Sequence, residues 1–166
     1  MIVSIYFFLG FTHGLLQLEG ERKDFMIVSS KGRYALHVLL DMAEHPTDDY
    51  IPIKEIAERQ EISKEYLNNI LKILVQNNLL LSLRGKGGGY KLVDTPEHYS
   101  VGKILRAAEG DLAPVQCVSD KDPCPRAGKC RSLAMWKKLD HMINDYLDSI
   151  TLADLMEDET KTNVEE

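Results

Sequence analysis

The stretch that decides the fold is LLLSLRGKGGGYKLV, residues 79–93, in which two apolar runs flank a glycine-rich turn. The three consecutive glycines at 87–89 allow a tight reversal of the backbone with no side chains in the way. The turn and its flanks carry three cations and no anion, namely Arg84, Lys86 and Lys91. We therefore predict a basic β-hairpin, with a buried strand over residues 79–83 and a returning strand over residues 90–93.

Three predicted helices precede this hairpin. Apolar side chains at helical spacing indicate a first helix over about residues 31–44, which Pro46 ends because proline cannot continue the helical hydrogen bonds. A short second helix follows Pro52, and Ser63 is well placed to cap a third helix through its hydroxyl. This order of helices, turn and basic hairpin is typical of a winged helix-turn-helix. The predicted fold class is mainly α with a small β-hairpin wing and a long C-terminal dimerisation helix.

The third helix has two different faces. One stripe is apolar and is expected to pack inward: Leu67, Ile70, Leu71 and Leu74. The opposite stripe is polar: Glu65, Asn68, Asn69, Lys72 and Gln76. Asparagine and glutamine amides can form paired hydrogen bonds with an adenine edge in the major groove, and each good pair discriminates by roughly 1–3 kcal/mol. For any single residue, an ordinary solvated helix face is an equally good explanation.

The hairpin supplies the second set of predicted DNA contacts. Arg84 can enter a narrow minor groove, where the potential is most negative, and the glycines allow close approach of the backbone. A phosphate-binding loop of the nucleotide-binding kind is a poor alternative, because no Gly-Lys-Ser/Thr closes the run. The candidate DNA-binding residues are Ser63, Glu65, Tyr66, Asn68, Asn69, Lys72, Arg84, Lys86 and Gly87.

The distribution of charge fits this interpretation better than the total does. The chain has 20 Lys/Arg and 26 Asp/Glu, a net charge of −6, which by itself disfavours nucleic acid as a partner. Residues 26–110, however, contain 11 cations and 11 anions, whereas residues 111–166 contain 7 and 12. The acidic surplus therefore lies mainly outside the predicted DNA-binding domain.

The C-terminal part continues the helical pattern. Ser100 caps a predicted fourth helix, and a long helix begins at Ser132 and bears Trp136, Ile143 and Leu147. Such a helix needs a partner surface, and a two-fold dimer would match a palindromic DNA site with recognition helices ~34 Å apart or a multiple of that. The alternative is that the helix folds back onto its own domain.

We predict five segments along the chain. Residues 1–25 are expected to be a non-native extension, with translation starting at Met26, because the amphipathic pattern begins there. The apolar run at residues 2–11 is too short to cross a bilayer as a helix. The remaining segments are the DNA-binding domain over 26–110, a cysteine loop over 111–131, the dimerisation helix and a terminal turn over 132–156, and an acidic disordered tail over 157–166.

Three cysteines form a candidate metal site: Cys117, Cys124 and Cys130. Their odd number and the lack of a secretion signal disfavour disulfides and indicate a reducing cytosol. The spacing is not a CxxC pair, so thioredoxin chemistry and a ribbon-type zinc site fit poorly. Three thiolates converging on one centre would suit an iron–sulfur cluster, zinc or copper(I). Three packed or loosely exposed thiols are the alternative.

Several motifs resemble the winged-helix regulators of the group that includes IscR, NsrR and CymR, the Rrf2 family. The motifs are SSKGRYA at 29–35, IAER at 56–59, ISKEYL at 62–67, RGKGGGY at 84–90, VGKI at 101–104 and SITLADL at 149–155. The resemblance covers about residues 26–155. It implies a homodimeric transcription factor acting on double-stranded DNA, whose recognition-helix readers and wing contact are Ser63, Glu65, Tyr66, Asn69 and Arg84.

The resemblance also implies a cluster at the three cysteines, because family members that sense iron–sulfur status, nitric oxide or redox state carry such a set. The cluster type, [2Fe–2S] or [4Fe–4S], and the fourth ligand stay open. Leu133 stands where the cluster-status sensor has a histidine ligand, and Arg33 where a nitric-oxide sensor has an aspartate. His37 and His141 are the remaining guesses.

These patterns together predict a cytoplasmic, DNA-binding transcription regulator, a repressor, that senses through an iron–sulfur cluster. A cluster-free regulator of the same fold, controlled by a partner protein or metabolite, is one alternative. A zinc or thiol site with no sensing role is another. An enzyme is disfavoured because no Cys–His or Ser–His–Asp order and no convincing pair of carboxylates stands out.

Overall fold

The computed structural model of the protein describes residues 28–119 and 124–162. These residues form six α-helices and one antiparallel hairpin: α1 (Ser30–Glu44), α2 (Ile53–Arg59), α3 (Lys64–Gln76), β1 (Leu80–Leu83), β2 (Gly89–Leu92), α4 (Val101–Glu109), α5 (Leu133–Ser149) and α6 (Leu152–Thr162). The predicted fold class, mainly α with a β-hairpin wing, is confirmed. The predicted extension over residues 1–25 and the start at Met26 lie outside the described residues.

The first helix is held at its N-terminus by a local cap and by a distant carboxylate. The Ser29 hydroxyl accepts a hydrogen bond from the backbone N–H of Lys31 at 3.1 Å. Glu109, the last residue of α4, accepts from the N–H of Ser29 at 3.0 Å and from that of Gly32 at 2.9 Å. These bonds satisfy N–H groups that a helix start leaves unpaired, and they join α1 to the end of α4.

The main core lies between α1, α3 and α4. Its most deeply buried members include Val38, Leu39, Leu67, Leu71, Leu74 and Ile104. The apolar stripe predicted for the third helix is therefore the stripe that is buried, because residues three and four apart share one helix face. α6 adds to the same core through Leu152, which is fully buried.

An ion pair with a buried carboxylate joins α2 to α1. Arg59 donates from Nε and Nη2 to the two carboxylate oxygens of Asp41, each at 2.8 Å. Asp41 is only 4% exposed, so its loss of water is offset by this two-pronged, charge-assisted pairing. The hydrogen bond to Asp41 raises the pKa of Arg59 above its usual value. The pair joins the two helices that precede α3.

The first strand is less buried than predicted. Leu79 and Leu80 are buried, but Leu81 is 46% exposed and Leu83 is 49% exposed. Every residue from Leu81 to Leu83 is exposed, Ser82 included. The two faces of a strand would give alternating exposure, so the strand instead leaves the core after Leu80 and continues toward the tip of the wing. The prediction of a buried strand over residues 79–83 is wrong beyond Leu80.

The long helix α5 packs on its own chain along one face only. None of its 17 residues is buried. The predicted apolar residues Trp136, Ile143 and Leu147 are half-buried, and Leu147 packs against the cluster formed by Val101 and Leu105 of α4. A second apolar stripe is exposed: Met135 at 53%, Leu139 at 37%, Met142 at 57% and Tyr146 at 65%. Among the described helices, α5 included, none combines the length and apolar character that crossing a membrane requires.

The last helix is longer than predicted. Thr151 and Asp154 cap its start reciprocally: the N–H of Thr151 donates to the Asp154 carboxylate at 2.8 Å, and the N–H of Asp154 donates to the Thr151 hydroxyl at 3.2 Å. From this cap the helix runs through Thr162. The helix thus continues past the predicted boundary at residue 156 into the first part of the predicted tail. Residues 163–166 lie outside the described residues.

Candidate nucleic-acid interface and cysteine loop

The outer face of α3 presents the predicted polar side chains to solvent. Four predicted DNA contacts on this face are exposed: Glu65, Asn68, Asn69 and Lys72. Ser63 caps the helix by accepting a 3.2 Å hydrogen bond from the N–H of Tyr66. A hydroxyl that accepts one bond can still donate another, and the N-terminus of a helix favours anions such as phosphate.

Tyr66 differs from the other candidates because it is half-buried. Its ring meets the ring of Tyr34 in α1 edge to face, with centroids 5.6 Å apart and planes at 83°. Edge-to-face contact is a favourable geometry for aromatic pairs. Tyr66 therefore has a packing role at the start of α3, whatever further contact it makes.

Two left-handed residues that are not glycine lie on either side of α3. Glu61 has φ 52° in the turn after α2, and Asn78 has φ 55° in the turn before β1. Asparagine is one of the few residues that adopt this conformation readily at a helix end, whereas glutamate does so rarely. The sequence analysis singled out neither residue for its backbone.

The glycines of the wing have different tasks. Gly85 and Gly87 have positive φ angles of 95° and 76°, which only glycine adopts easily. Gly88 closes the turn, its N–H donating to the carbonyl of Gly85 at 3.0 Å. A side chain at Gly89 would overlap the backbone of Ile51, because residues 51 and 90 form a β-bridge beside the hairpin. The run of three glycines thus combines a sharp turn with a close backbone crossing.

Only two of the three wing cations lie near the tip. Arg84, Lys86 and the adjoining Gly87 are exposed. Lys91 instead donates from Nζ to the backbone carbonyl of Asp48 at 2.7 Å, which ties β2 to the loop after α1. The positive charge available at the tip is therefore that of Arg84 and Lys86.

A buried tyrosine holds the base of the wing, and sequence reasoning missed it. Tyr99 is 2% exposed. Its hydroxyl donates to the carbonyl of Leu79 at 2.9 Å and accepts from the N–H groups of Val93 at 2.8 Å and Asp94 at 3.1 Å. The only clue in the sequence was an aromatic residue directly before the predicted helix cap at Ser100.

The long helix meets the rest of the chain along α4, from its first residue to its last turn. Arg106 donates to the side-chain oxygen of Asn144 at 2.9 Å and pairs with Asp148, both on α5. The N–H of Val101 donates to the carbonyl of Ile150 at 2.8 Å. This junction connects the predicted DNA-binding domain to the helix that follows the cysteine loop.

The three cysteines are free and half-exposed. The Cys130 sulfur lies 3.3 Å from the Ser132 hydroxyl, and this hydrogen bond lowers the pKa of Cys130. A cavity of about 600 Å³ opens beside it, lined by Pro125, Arg126, Gly128, Lys129 and Cys130. In residues 28–119 and 124–162, no three His, Cys, Asp or Glu side chains are grouped closely enough to hold a metal ion. Within these residues the three thiols do not form a group that could hold a metal ion, so their convergence on one centre stays a prediction.

The chemistry of this donor set still fits a soft metal centre. Three thiols that are accessible and not joined in disulfides are the ligands that iron–sulfur clusters use. Of the two guesses for a fourth ligand, His37 is an exposed residue of α1. His141 lies on α5 and pairs with Asp145 at 3.2 Å. Neither belongs to a group with the cysteines.

Together, a capped helix with an exposed amide face, a preceding short helix and a basic glycine hairpin define a winged helix-turn-helix protein. The family described as Rrf2, iron-dependent transcriptional regulator, matches residues 28–158. The chain therefore belongs to the Rrf2 family, as the motifs predicted.

Individual relatives agree with this assignment. The chain is 37% identical over 131 residues to the HTH-type transcriptional regulator IscR of Erwinia tasmaniensis, covering 79% of each protein. The structure of T. potens IscR is similar with a TM-score of 0.64 and 32% identity, over 84% of this chain and 93% of that one. The cysteine regulator CymR of B. subtilis gives a TM-score of 0.63 and 31% identity, over 79% and 96%. The protein is thus a transcriptional regulator and not an enzyme, and this role implies DNA binding.

Proposed function

We propose that this protein is a cytoplasmic, homodimeric repressor that binds a palindromic operator in double-stranded DNA. We further propose that an iron–sulfur cluster makes its binding respond to iron–sulfur status, redox state or nitric oxide. The observation that carries the DNA-binding part is the exposed, amide-bearing face of α3, followed in the chain by a hairpin with exposed cations at its tip.

In this proposal α3 occupies the major groove. Asn68 and Asn69 form hydrogen bonds with base edges. The amide of asparagine is suited to adenine, with which it can form a pair of hydrogen bonds. Glu65 accepts from a cytosine amine, and Ser63 and Tyr66 contact phosphates or base edges near the helix start. Exposure of the amides and the completed cap at Ser63 support this assignment.

The wing contributes the second contact. Arg84 enters the minor groove, Lys86 neutralises phosphate, and Gly87 lets the backbone approach the sugar-phosphate chain. The space around the Cβ position of Gly87 is open. Lys72 of α3 adds a further cation near the groove edge.

The exposed stripe on α5 supports a homodimer. Met135, Leu139, Met142 and Tyr146 follow the spacing of four, three and four residues that is typical of a helix packing against another helix. The large exposed fractions of these side chains would be covered by the same stripe of a second copy, as in an isologous two-fold interface. The face first predicted for this contact, with Trp136 and Ile143, is instead turned partly toward its own chain.

The cysteines are the proposed ligands of the cluster. Cys117, Cys124 and Cys130 would hold it, with the loop closing to bring their sulfurs together. A cluster held by three thiolates and one weaker ligand supplies a centre that oxidants or nitric oxide can alter. Cys130 lies three residues before α5, and the far end of α5 is bonded to α4, so a rearranged loop would bias how the DNA-binding domains of a dimer are held.

The DNA-binding part is tested by selection from duplexes with a randomised central segment, using the full-length protein. We expect recovery of a palindrome whose half-sites lie about one helical turn apart, ~34 Å, or a multiple of it. Failure to enrich any duplex above a protein-free control would contradict the proposal.

The cluster is tested by anaerobic purification and absorption spectroscopy. We expect a brown protein with visible bands, and loss of the bands in Cys117→Ala, Cys124→Ala and Cys130→Ala. Gly128→Ala is the matched control, because it alters the same loop in open space. A colourless protein containing zinc would indicate a structural zinc site. A colourless, metal-free protein that still selects DNA would indicate a cluster-free regulator.

A further inference from the structure

Tyr99 lies where three parts of the chain meet. It follows the 3₁₀ turn Pro96–His98 and precedes the cap of α4. Its side chain is 2% exposed, and its hydroxyl takes part in three hydrogen bonds. One donor and two acceptor positions are the full capacity of a phenol, so this oxygen is saturated by backbone groups.

These three bonds join both ends of the wing. Leu79, whose carbonyl accepts from Tyr99, is the link between α3 and β1. Val93 and Asp94, whose N–H groups donate to Tyr99, follow directly after β2. A single oxygen therefore fixes the point where the recognition helix enters the wing and the point where the wing ends.

The backbone of Tyr99 makes the third connection. Its carbonyl accepts a hydrogen bond from the N–H of Leu152 at 3.0 Å. Residues 100 and 151 form an isolated β-bridge beside it. Leu152 is the first residue of α6 and lies just after α5. The base of the wing is thus bonded, through one residue, to the end of the long helix.

The phenol is suited to this task because it stays neutral. Burial raises the pKa of Tyr99 above its usual value. The hydroxyl therefore keeps the proton that it donates to Leu79 at every pH at which the protein would work. Phenylalanine would fill the same space but would leave the backbone groups without this partner.

We propose that Tyr99 is a positioning residue for DNA binding: it fixes the wing relative to α3 and connects the wing to the end of α5. The inference rests on the proposed function, because it matters only if the wing contacts DNA. It makes Tyr99, which does not contact DNA, a determinant of affinity that acts through Arg84.

The first experiment is amide hydrogen exchange on full-length Tyr99→Phe without DNA. We expect the N–H groups of Val93 and Asp94 to exchange about tenfold faster than in the wild type, because each loses a buried acceptor. Tyr50→Phe is the matched control, since it removes the hydroxyl of a half-buried tyrosine next to the β-bridge between residues 51 and 90 and should leave both rates unchanged. Unchanged exchange in Tyr99→Phe would overturn the proposal.

The second experiment is a double-mutant cycle on the duplex that the wild type selects. We expect Tyr99→Phe to lower affinity roughly fivefold in the wild type and on an Asn69→Ala background. On an Arg84→Ala background the loss should shrink below about twofold, because the wing contact is already gone. A merely structural role would give the same loss on all three backgrounds and would overturn the proposal.

The two experiments separate the two hypotheses. If no duplex is recovered, the proposed function fails, and the exchange rates still decide whether Tyr99 holds the wing. If a duplex is recovered but the cycle with Arg84 is additive, the proposed function stands and the role of Tyr99 is rejected.

Discussion

Two regions of the protein differ in how far they bury their apolar side chains. We call residues 28–112 together with α6 the head, and the described residues 113–119 and 124–149 the arm. In the head, Leu67, Leu71 and Leu74 of α3 are fully buried. In the arm no described residue is buried, and four large apolar side chains of α5 are exposed.

This difference indicates where the geometry of each region comes from. The head is completed by its own contacts, so a DNA-binding surface built on it has a fixed shape. The arm has few such contacts, and regions with little buried surface change conformation at low free-energy cost. An outside component, such as a second copy or a metal cluster, can therefore set the shape of the arm.

The largest contrast should be in the free energy of unfolding. Leu71→Ala removes a fully buried side chain and should cost ~2–5 kcal/mol, through lost burial and the cavity that remains. Leu139→Ala in the arm should cost less than about 0.5 kcal/mol in dilute protein. Urea denaturation measures both. Only the arm variant should show an effect that grows with protein concentration, because it affects association. If both variants lost the same free energy of unfolding in dilute protein, the contrast between head and arm would be contradicted.

Glycine substitutions should give the next largest contrast. Gly89→Ala brings a Cβ against the backbone of Ile51 and Pro52, and should destabilise the head by about 1–3 kcal/mol through overpacking. Gly128→Ala adds a methyl group in open space in the cysteine loop and should change stability by less than about 0.5 kcal/mol. Thermal unfolding of the two variants provides the measurement. A tolerated Gly89→Ala would show that the wing does not cross residue 51 as closely as described.

A charge on the exposed stripe should separate association from folding. Met142→Glu places a carboxylate among apolar side chains and should weaken self-association at least about tenfold, while the helical content of the head is retained. Lys137→Glu, also exposed on α5 but outside the stripe, is the matched control and should leave the dimer intact. Sedimentation velocity distinguishes the species. If Lys137→Glu dissociated the dimer and Met142→Glu did not, the dimer interface would lie elsewhere on the protein.

The smallest effect should be in the salt dependence of DNA binding. Arg84→Ala in the head should weaken binding and reduce the slope of log affinity against log salt by about one, because a guanidinium in the minor groove lies between the phosphate chains and displaces counterions. Lys138→Ala removes an exposed cation from the arm and should leave the slope unchanged. Titrations at several salt concentrations measure the slopes. A change for Lys138 alone would mean that the arm, rather than the wing, contacts DNA. Asn69→Ala, in contrast, should alter sequence preference.

Much of the recognition helix could be predicted because its determinants are local. Ser63 caps α3 as expected, and the four residues of its apolar stripe are the ones that are buried. A cap bonds to a residue three positions away, and a stripe repeats every three or four residues. The same holds for Ser100, which caps α4 through the N–H of Lys103.

The errors arose where exposure depends on distant neighbours. The run at residues 79–83 does not reveal where the strand leaves the core, and only Leu79 and Leu80 are buried. The meeting of the three cysteines stays a prediction, because their spacing does not specify the geometry of the loop. The acidic composition of the tail obscured α6, whose Leu152 and Met156 pack in the head core.

The order of helices, the caps, the glycine turn and the family were determined by the sequence itself, since each depends on residues within a short span. The tertiary structure alone decided that Asp41 pairs with Arg59, 18 residues away, and that Tyr99 bonds to Leu79, 20 residues away. It also decided which face of α5 stays uncovered. Such pairings depend on how the packed helices are arranged in space. The sequence gives the residue types in order but not this arrangement.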